Sequence, residues 1–346
     1  MKPVVLAPND VPRFYRGGRA IARLRGTEPA GERTPEDWVG STTAVFGRPE
    51  LGLSRLPDGK LLRDATAADP VAFFGPDHAA RHGGDPALLV KLLDAGQRLP
   101  VHAHPDGRFA RMHLDAPCGK TEAWIVVDTD RSDATVHAGF REDVAPATLE
   151  RWVTEQDHAA LLGALNVLSV APGDAIFVPA GVPHAIGEGV LIVELQEPSD
   201  LSVLLEWDGF GIDDPAEATL GLGWDVALRC VQTAARDPRS LRAPRPSDDA
   251  AVTRLLPRAA DPFFRAERIA PSPVATLERG FAILVVIDGA GVLHGGEALP
   301  VHRGDTVLVP WEAGPCHLEG DAVAIACRPP DPGMRRAPIG AQPAAP

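Results

Sequence analysis

Lysine is scarce in this chain of 346 residues. Of its 34 basic residues only Lys2, Lys60, Lys91 and Lys120 are lysines, and the other basic residues are arginines. The skew is that of a GC-rich coding sequence, in which arginine replaces lysine wherever the chemistry permits. A lysine kept at a chemically loaded position therefore carries information. Cysteine is as sparse. Cys118, Cys230, Cys316 and Cys327 lie far apart and form no Cys-x-x-Cys pair, so free thiols are the simplest reading. No apolar run reaches about 18 residues, and Met1–Arg13 does not resemble a signal peptide. A soluble, cytoplasmic protein that binds no membrane is expected. Positive charge is outnumbered as well. Asp and Glu total 47, which leaves a net charge of −13 and argues against nucleic acid or an anionic membrane as partner.

What the chain has in plenty is glycine and proline, 34 and 35 residues, a fifth of the whole. That favours many turns and short strands over long helices. At about 150 residues per domain, the length predicts two domains and enough chain to bury a core. The first 90 residues read as irregular. Short strands are predicted at Leu88–Leu93 and Thr121–Asp128. Leu149, Trp152, Val153, Leu161, Leu162 and Leu165 recur at helical spacing, and Asp213–Ala235 again reads as helical. Strands are expected at 166–170, 190–196, 202–207, 281–287, 291–293 and 305–309. Between the helical 212–237 and the second strand block, residues 238–262 read as a proline-rich linker. The stretch 328–346, with six prolines, reads as a disordered tail. Two strand-rich blocks around helices predict a mainly β protein built from two small barrel-like halves.

Two stretches carry chemistry. In Gly96–Pro105, a glycine is followed after five residues by His102-Ala103-His104. Histidines at i and i+2 of a strand share a face, so both imidazoles can reach one ion. In Gly173–His184, a glycine is followed after five residues by Pro179, then Gly181, then His184. Together these are the two spacings of the cupin double-stranded barrel, or jelly-roll. Three neutral imidazoles and one carboxylate make a compact site for a divalent cation. Asp106 is the nearest acid, and Glu122 is the better candidate. Gly119-Lys120-Thr121 is no phosphate loop, because no earlier glycine stands at the required spacing and a strand follows.

The stretches Leu93–Gln97, Val101–Asp106, Gly119–Trp124 and Val178–Ile186, in this order and spacing, resemble type I phosphomannose isomerase. Glu36–Ser41 is similar to an N-terminal element of that family. The block from Phe263 to Cys327 looks like its second, metal-free cupin half. The resemblance implies a metal-binding half at 1–142 and 166–210, helical segments at 143–165 and 212–237, and a second half at 263–327. It implies one zinc ion held by His104, Glu122 and His184, with His102 where the family has a glutamine. That exchange keeps a neutral donor and opens the site to iron, manganese or cobalt. Lys120 matches the family's active-site lysine, and its retention among so many arginines adds weight. Glu194, an acid inside an apolar strand, matches an acidic residue near the sugar. Trp38 and Arg98 are the expected substrate-binding residues.

The implied activity is an aldose–ketose isomerase that interconverts mannose 6-phosphate and fructose 6-phosphate. The ion and the two proton movers, Lys120 and Glu194, would serve an enediol reaction. The chain departs from the family at Leu204, where an arginine is expected, and at Val39, where a glutamate is expected. The first departure leaves another, unphosphorylated sugar as an alternative substrate. Three histidines with one glutamate would also suit a metal-dependent cupin oxygenase. The oligomeric state is open.

Overall fold

The computed structural model describes residues 1–245, 250–331 and 333. Its described strands form four antiparallel sheets, arranged as two sandwiches. In the first, a six-stranded sheet runs in the order Asp10–Val11, Glu36–Val39, Leu89–Asp94, Val190–Gln196, Glu122–Thr129, Ala175–Val178. A five-stranded sheet faces it, in the order Val203–Leu204, His102–Ala103, His184–Ile186, Thr135–Phe140, Leu165–Ser169. Leu93, Trp124, Val126, Ile176 and Ile192 from one sheet meet Val136, Ala138, Leu168 and Ile186 from the other in a shared core. The second sandwich pairs a six-stranded sheet, centred on Ala282–Asp288 and Val323–Arg328, with a four-stranded sheet. Each half is a pair of facing sheets of cupin type, as expected, but among the described residues no ladder of hydrogen bonds closes it into a barrel.

The two six-stranded sheets lie back to back. Val90, Leu92, Ile125 and Val193 pack there in one cluster with Phe264, Ile283, Val285 and Ile325. A central strand covered on both faces must be apolar throughout, and Leu89–Asp94 and Val190–Gln196 are buried along their whole length. Lys91 and Glu194 are the charged exceptions at mid-strand. They are direct cross-strand partners, and their faces turn inward, toward the first sandwich's interior.

Several boundaries differ from the sequence reading. Val4–Val5 pairs with Thr306–Val309 and so joins the second sandwich, not the first. Val252–Arg254, inside the expected linker, adds an edge strand beside Arg265–Ile269, and Leu241, Ala243, Leu255, Leu256 and Ala260 are buried. Strands of two or three residues are too short to display a period. The first 90 residues are also less irregular than expected, with helices at Ala20–Arg25, Leu62–Ala68, Pro70–Phe74 and Pro76–His82. Residues 246–249 of the linker, and residue 332 and 334–346 of the expected tail, lie outside the described residues.

Helices Pro146–Thr154 and His158–Ala164 bury Leu149, Val153 and Leu161 against the outer face of the five-stranded sheet. Asp157 caps the second helix by accepting from the Ala160 amide at 3.0 Å. The span 212–237 is not one helix. It breaks into Pro215–Ala218, Trp224–Ala227 and a 3-10 turn at Leu228–Cys230. Leu220, Gly221 and Gly223 adopt φ of 56°, 77° and 72°, a left-handed run that ends any α-helix.

Candidate metal centre and the cavity beside it

The cluster is built from both sheets of the first sandwich. His102 and His184 are cross-strand partners on the five-stranded sheet. His104 follows two residues later, and Glu122 opens a strand of the facing sheet. Two glycines make the approach possible. A Cβ on Gly96 would lie 2.0 Å from the Gly17 carbonyl oxygen, so only glycine lets the N-terminal segment pass there. Gly181, at φ 85°, donates its amide to the His104 carbonyl at 2.7 Å and ties the second motif to the first.

All three imidazoles are oriented by their Nδ1 atoms. His102 Nδ1 meets the Pro100 carbonyl at 2.8 Å, His104 Nδ1 the Leu201 carbonyl at 2.9 Å, and His184 Nδ1 the Val182 carbonyl at 2.8 Å. A carbonyl only accepts, so each Nδ1 carries the proton and each Nε2 presents a lone pair. Burial and the neighbouring rings hold His102 well below its usual range, and burial with Lys120 lowers His104 to about 3. His102 and His104 are therefore neutral donors.

Glu122 completes the set. Its Oε2 lies 3.0 Å from His104 Nε2 and its Oε1 3.1 Å from His184 Nε2. Burial works against its charge, but its neighbours, the Lys120 ammonium first among them, outweigh burial and keep it a carboxylate. These are lone pairs facing lone pairs. Glu122 Oε2 and His184 Nε2 are both buried without a hydrogen-bond partner. Buried acceptors at such spacing need a cation among them. Zinc bonds of about 2.0–2.2 Å in tetrahedral geometry would set the donors a little over 3 Å apart, so the residues fit a divalent ion. Trp124 Nε1 donates to Glu122 Oε1 at 2.9 Å and fixes the carboxylate's orientation.

A cavity of about 880 Å³ opens beside the cluster. His102, Lys120 and Glu122 line it, together with Glu194, Lys91, Glu36, Arg13 and Asp200. Lys120 Nζ is 3.0 Å from His104 Nε2 and 3.4 Å from Glu122 Oε2. Lys91 Nζ stands 3.5 Å from both Glu36 Oε2 and Glu194 Oε2, over the face of Trp38 at 4.7 Å. Arg13 Nη1 donates to Asp200 Oδ2 at 3.0 Å, and its Nε is 3.5 Å from Glu36 Oε1. Burial would raise Glu36, but Lys91 and Arg13 bring it down to about 2. Tyr15 donates to Glu36 and Trp38 Nε1 donates to it at 2.6 Å. Glu194 goes the other way. Burial, with the nearby charge of Glu122, pushes it up to about 8.

The sign of that shift sets a pH dependence. The ordinary value for this carboxyl is 4.5. Between about 4.5 and 8 the folded protein holds a proton at Glu194 that the unfolded chain has released. The group's contribution to stability is complete below that window and falls as pH rises through it. In metal-free protein, Glu194→Gln should lose less of its urea midpoint than wild type between about pH 5 and about pH 8. Equal losses would show that Glu194 ionises normally.

Six of the eight residues expected from sequence, His102, His104, His184, Glu122, Lys120 and Glu194, come together here. Trp38 does not reach the cavity. It is fully buried beneath Lys91 and acts as a floor. Arg98 is not a lining residue either. Its guanidinium grips Glu206 at 2.7 and 2.5 Å and lies over Phe210. A buried glutamate made the arginine structural. Sequence reasoning missed Lys91, Arg13, Asp200 and Tyr15. Lys91 was within reach, since the scarcity of lysine that singles out Lys120 applies equally to it.

Residues 264–329 match the family model described as the cupin domain of mannose-6-phosphate isomerase. The mannose-6-phosphate isomerase ManA of Bacillus subtilis is 29% identical over 329 residues, covering 94% of this chain and 98% of that protein. A mannose-6-phosphate isomerase of Streptococcus mutans is 30% identical over 187 residues, 53% of this chain and 54% of that protein. The crystal structure of mannose 6-phosphate isomerase from Bacillus subtilis superposes with a TM-score of 0.77 at 22% identity, covering 95% of this chain and all of that one. Another, of a mannose 6-phosphate isomerase bound with zinc and yttrium, gives 0.73 at 17% identity over 95% of this chain and all of that one. At such identities the structural likeness establishes the fold alone.

Proposed function

The chain belongs to the type I phosphomannose isomerase family of the cupin superfamily, and from that premise we propose that it interconverts mannose 6-phosphate and fructose 6-phosphate. The observation that carries the reading is the convergence in one cavity of a cation-binding cluster with Lys120 and Glu194. His102, His104, Glu122 and His184 are the proposed ligands, and zinc is the proposed ion. A related structure is bound with zinc, and iron, manganese and cobalt accept the same donors. When bound, such an ion supplies positive charge to the sugar oxygens.

Isomerisation moves a proton between C2 and C1 while the two adjacent oxygens exchange roles. That needs a base that works near neutrality and a dry site. Glu194, buried and lining the cavity with Lys120 and Glu122, is the group proposed to carry the proton between the carbons. Lys120 Nζ, two residues from Glu122, is proposed to hydrogen-bond the oxygens and to hold their shared proton. Lys91 and Glu36 balance the charge around Glu194. The similar proteins are isomerases by name, which favours isomerisation over the oxygen chemistry that such a ligand set could also carry. No described helix is long and apolar enough to cross a membrane. We place the enzyme in the cytoplasm, acting on a small sugar phosphate.

The test is a coupled assay with fructose 6-phosphate, set beside free fructose and free mannose. Turnover confined to the free sugars would overturn the phosphorylated substrate. Lys120→Ala should keep the bound ion and lose about 10²–10⁴ in kcat. Full activity with the ion in place would remove Lys120 from the mechanism.

A further inference from the structure

A phosphorylated sugar needs a cation that is free to meet it, and most of those lining the cavity are already engaged. Lys120 lies against Glu122, Lys91 between Glu36 and Glu194, and Arg13 between Asp200 and Glu36. Leu204, Ile212 and Leu220 offer no charge on the wall. Arg48 is different. It lines the same cavity, it is exposed, and among the described residues it has no carboxylate partner. Resting on the isomerase reading, we propose that Arg48 is the residue that binds the substrate's phosphate.

Its position is built rather than accidental. Arg48 Nη2 donates to the Pro12 carbonyl at 3.3 Å, which orients the guanidinium and leaves its other donors free. The turn that carries it is closed by the Arg48 amide on the Val45 carbonyl at 2.9 Å. The turn is also pinned to the cavity floor, because the Phe46 amide donates to Asp200 Oδ2 at 3.2 Å. Asp200 thus holds Arg13 on one side and the Arg48 turn on the other. A planar guanidinium at the rim can bind a phosphate dianion in bidentate fashion while the sugar's reacting end lies toward Lys120 and Glu194. At the rim the phosphate also keeps contact with water, so it is not desolvated for nothing.

Arg48→Gln should raise KM for mannose 6-phosphate about 10- to 100-fold, the loss of one charge-assisted contact, with kcat within about twofold. Activity on free mannose should not change, and Arg48→Lys should recover part of the loss. Calorimetry with glucitol 6-phosphate and with glucitol separates the two readings, because it needs no turnover. If Arg48→Gln binds glucitol 6-phosphate as tightly as wild type, Arg48 is not the phosphate ligand, although the isomerase reading survives. If wild type binds glucitol 6-phosphate through Arg48 but does not isomerise mannose 6-phosphate, the isomerase reading falls and the Arg48 site stands. An equal loss on free and phosphorylated sugars would mean that Arg48 only props the turn, which also overturns the proposal.

Discussion

Replacing Glu122 with alanine should strip the protein of its divalent ion and of its turnover together. The carboxylate brings the negative charge to the cluster, and the other three members are imidazoles held by backbone carbonyls. Removing it takes away the charge that offsets the cost of dehydrating the ion, and it opens the donor set. Loss of a mere supporting contact costs a metal site about 10–100-fold in affinity, so loss of this ligand should exceed that range. Turnover should fall by about three orders of magnitude or more, since several kcal/mol of charge stabilisation vanish with the ion. The fold should persist. The cluster borders a cavity that admits water, and Trp124 keeps its packing against His184. Elemental analysis and the coupled assay check both halves. Wild type treated with a chelator should match the variant, and adding the ion back should rescue only the wild type. A Glu122→Ala protein that keeps stoichiometric metal would remove Glu122 from the ligand set.

The histidine cluster of the proposed ion site was legible because its spacing is dictated by geometry. Two histidines two apart on a strand must share a face, and a glycine–proline turn must deliver the third from the neighbouring strand. The doubly covered strands at 89–94 and 190–196 were legible for a similar reason, since burial on both sides leaves an unbroken apolar run. What stayed hidden depends on the N-terminal segment. Arg13 and Tyr15 belong to no periodic element, and they reach the cavity only because Gly96 lets the chain cross at Gly17. Arg98 misled for the opposite reason. It stands four residues before the strand His102–Ala103, yet its charge is taken by Glu206, more than a hundred residues away. Sequence shows which charges are present, whereas only the fold shows which of them are already paired.

Lys91→Met should be the most destabilising single change in the cavity, because Lys91 is the hinge of that pairing. Its side chain is about as buried as any in the chain, and its ammonium group stands between two carboxyls. Burial alone would lower its pKa, but Glu36 and Glu194 outweigh burial and raise it. At neutral pH the balanced arrangement is Lys91 with Glu36, Arg13 with Asp200, and a protonated Glu194. Methionine matches the stem's volume and leaves Glu36 a buried anion with Arg13 as its remaining cation. Breaking one side of a buried pair costs about 3–5 kcal/mol, mostly the cost of the uncompensated charge. The cation–π contact with Trp38 is lost in addition. Urea unfolding should show that loss, and activity should fall with it, since Glu194 loses the neighbouring cation that holds its proton affinity down against burial and Glu122. The double variant Lys91→Met, Glu36→Gln provides the decisive comparison. It removes the orphaned anion, so it should be more stable than Lys91→Met alone while remaining poorly active. A single variant within about 1 kcal/mol of wild type, or a double variant less stable than the single, would show that Lys91 is not what neutralises Glu36.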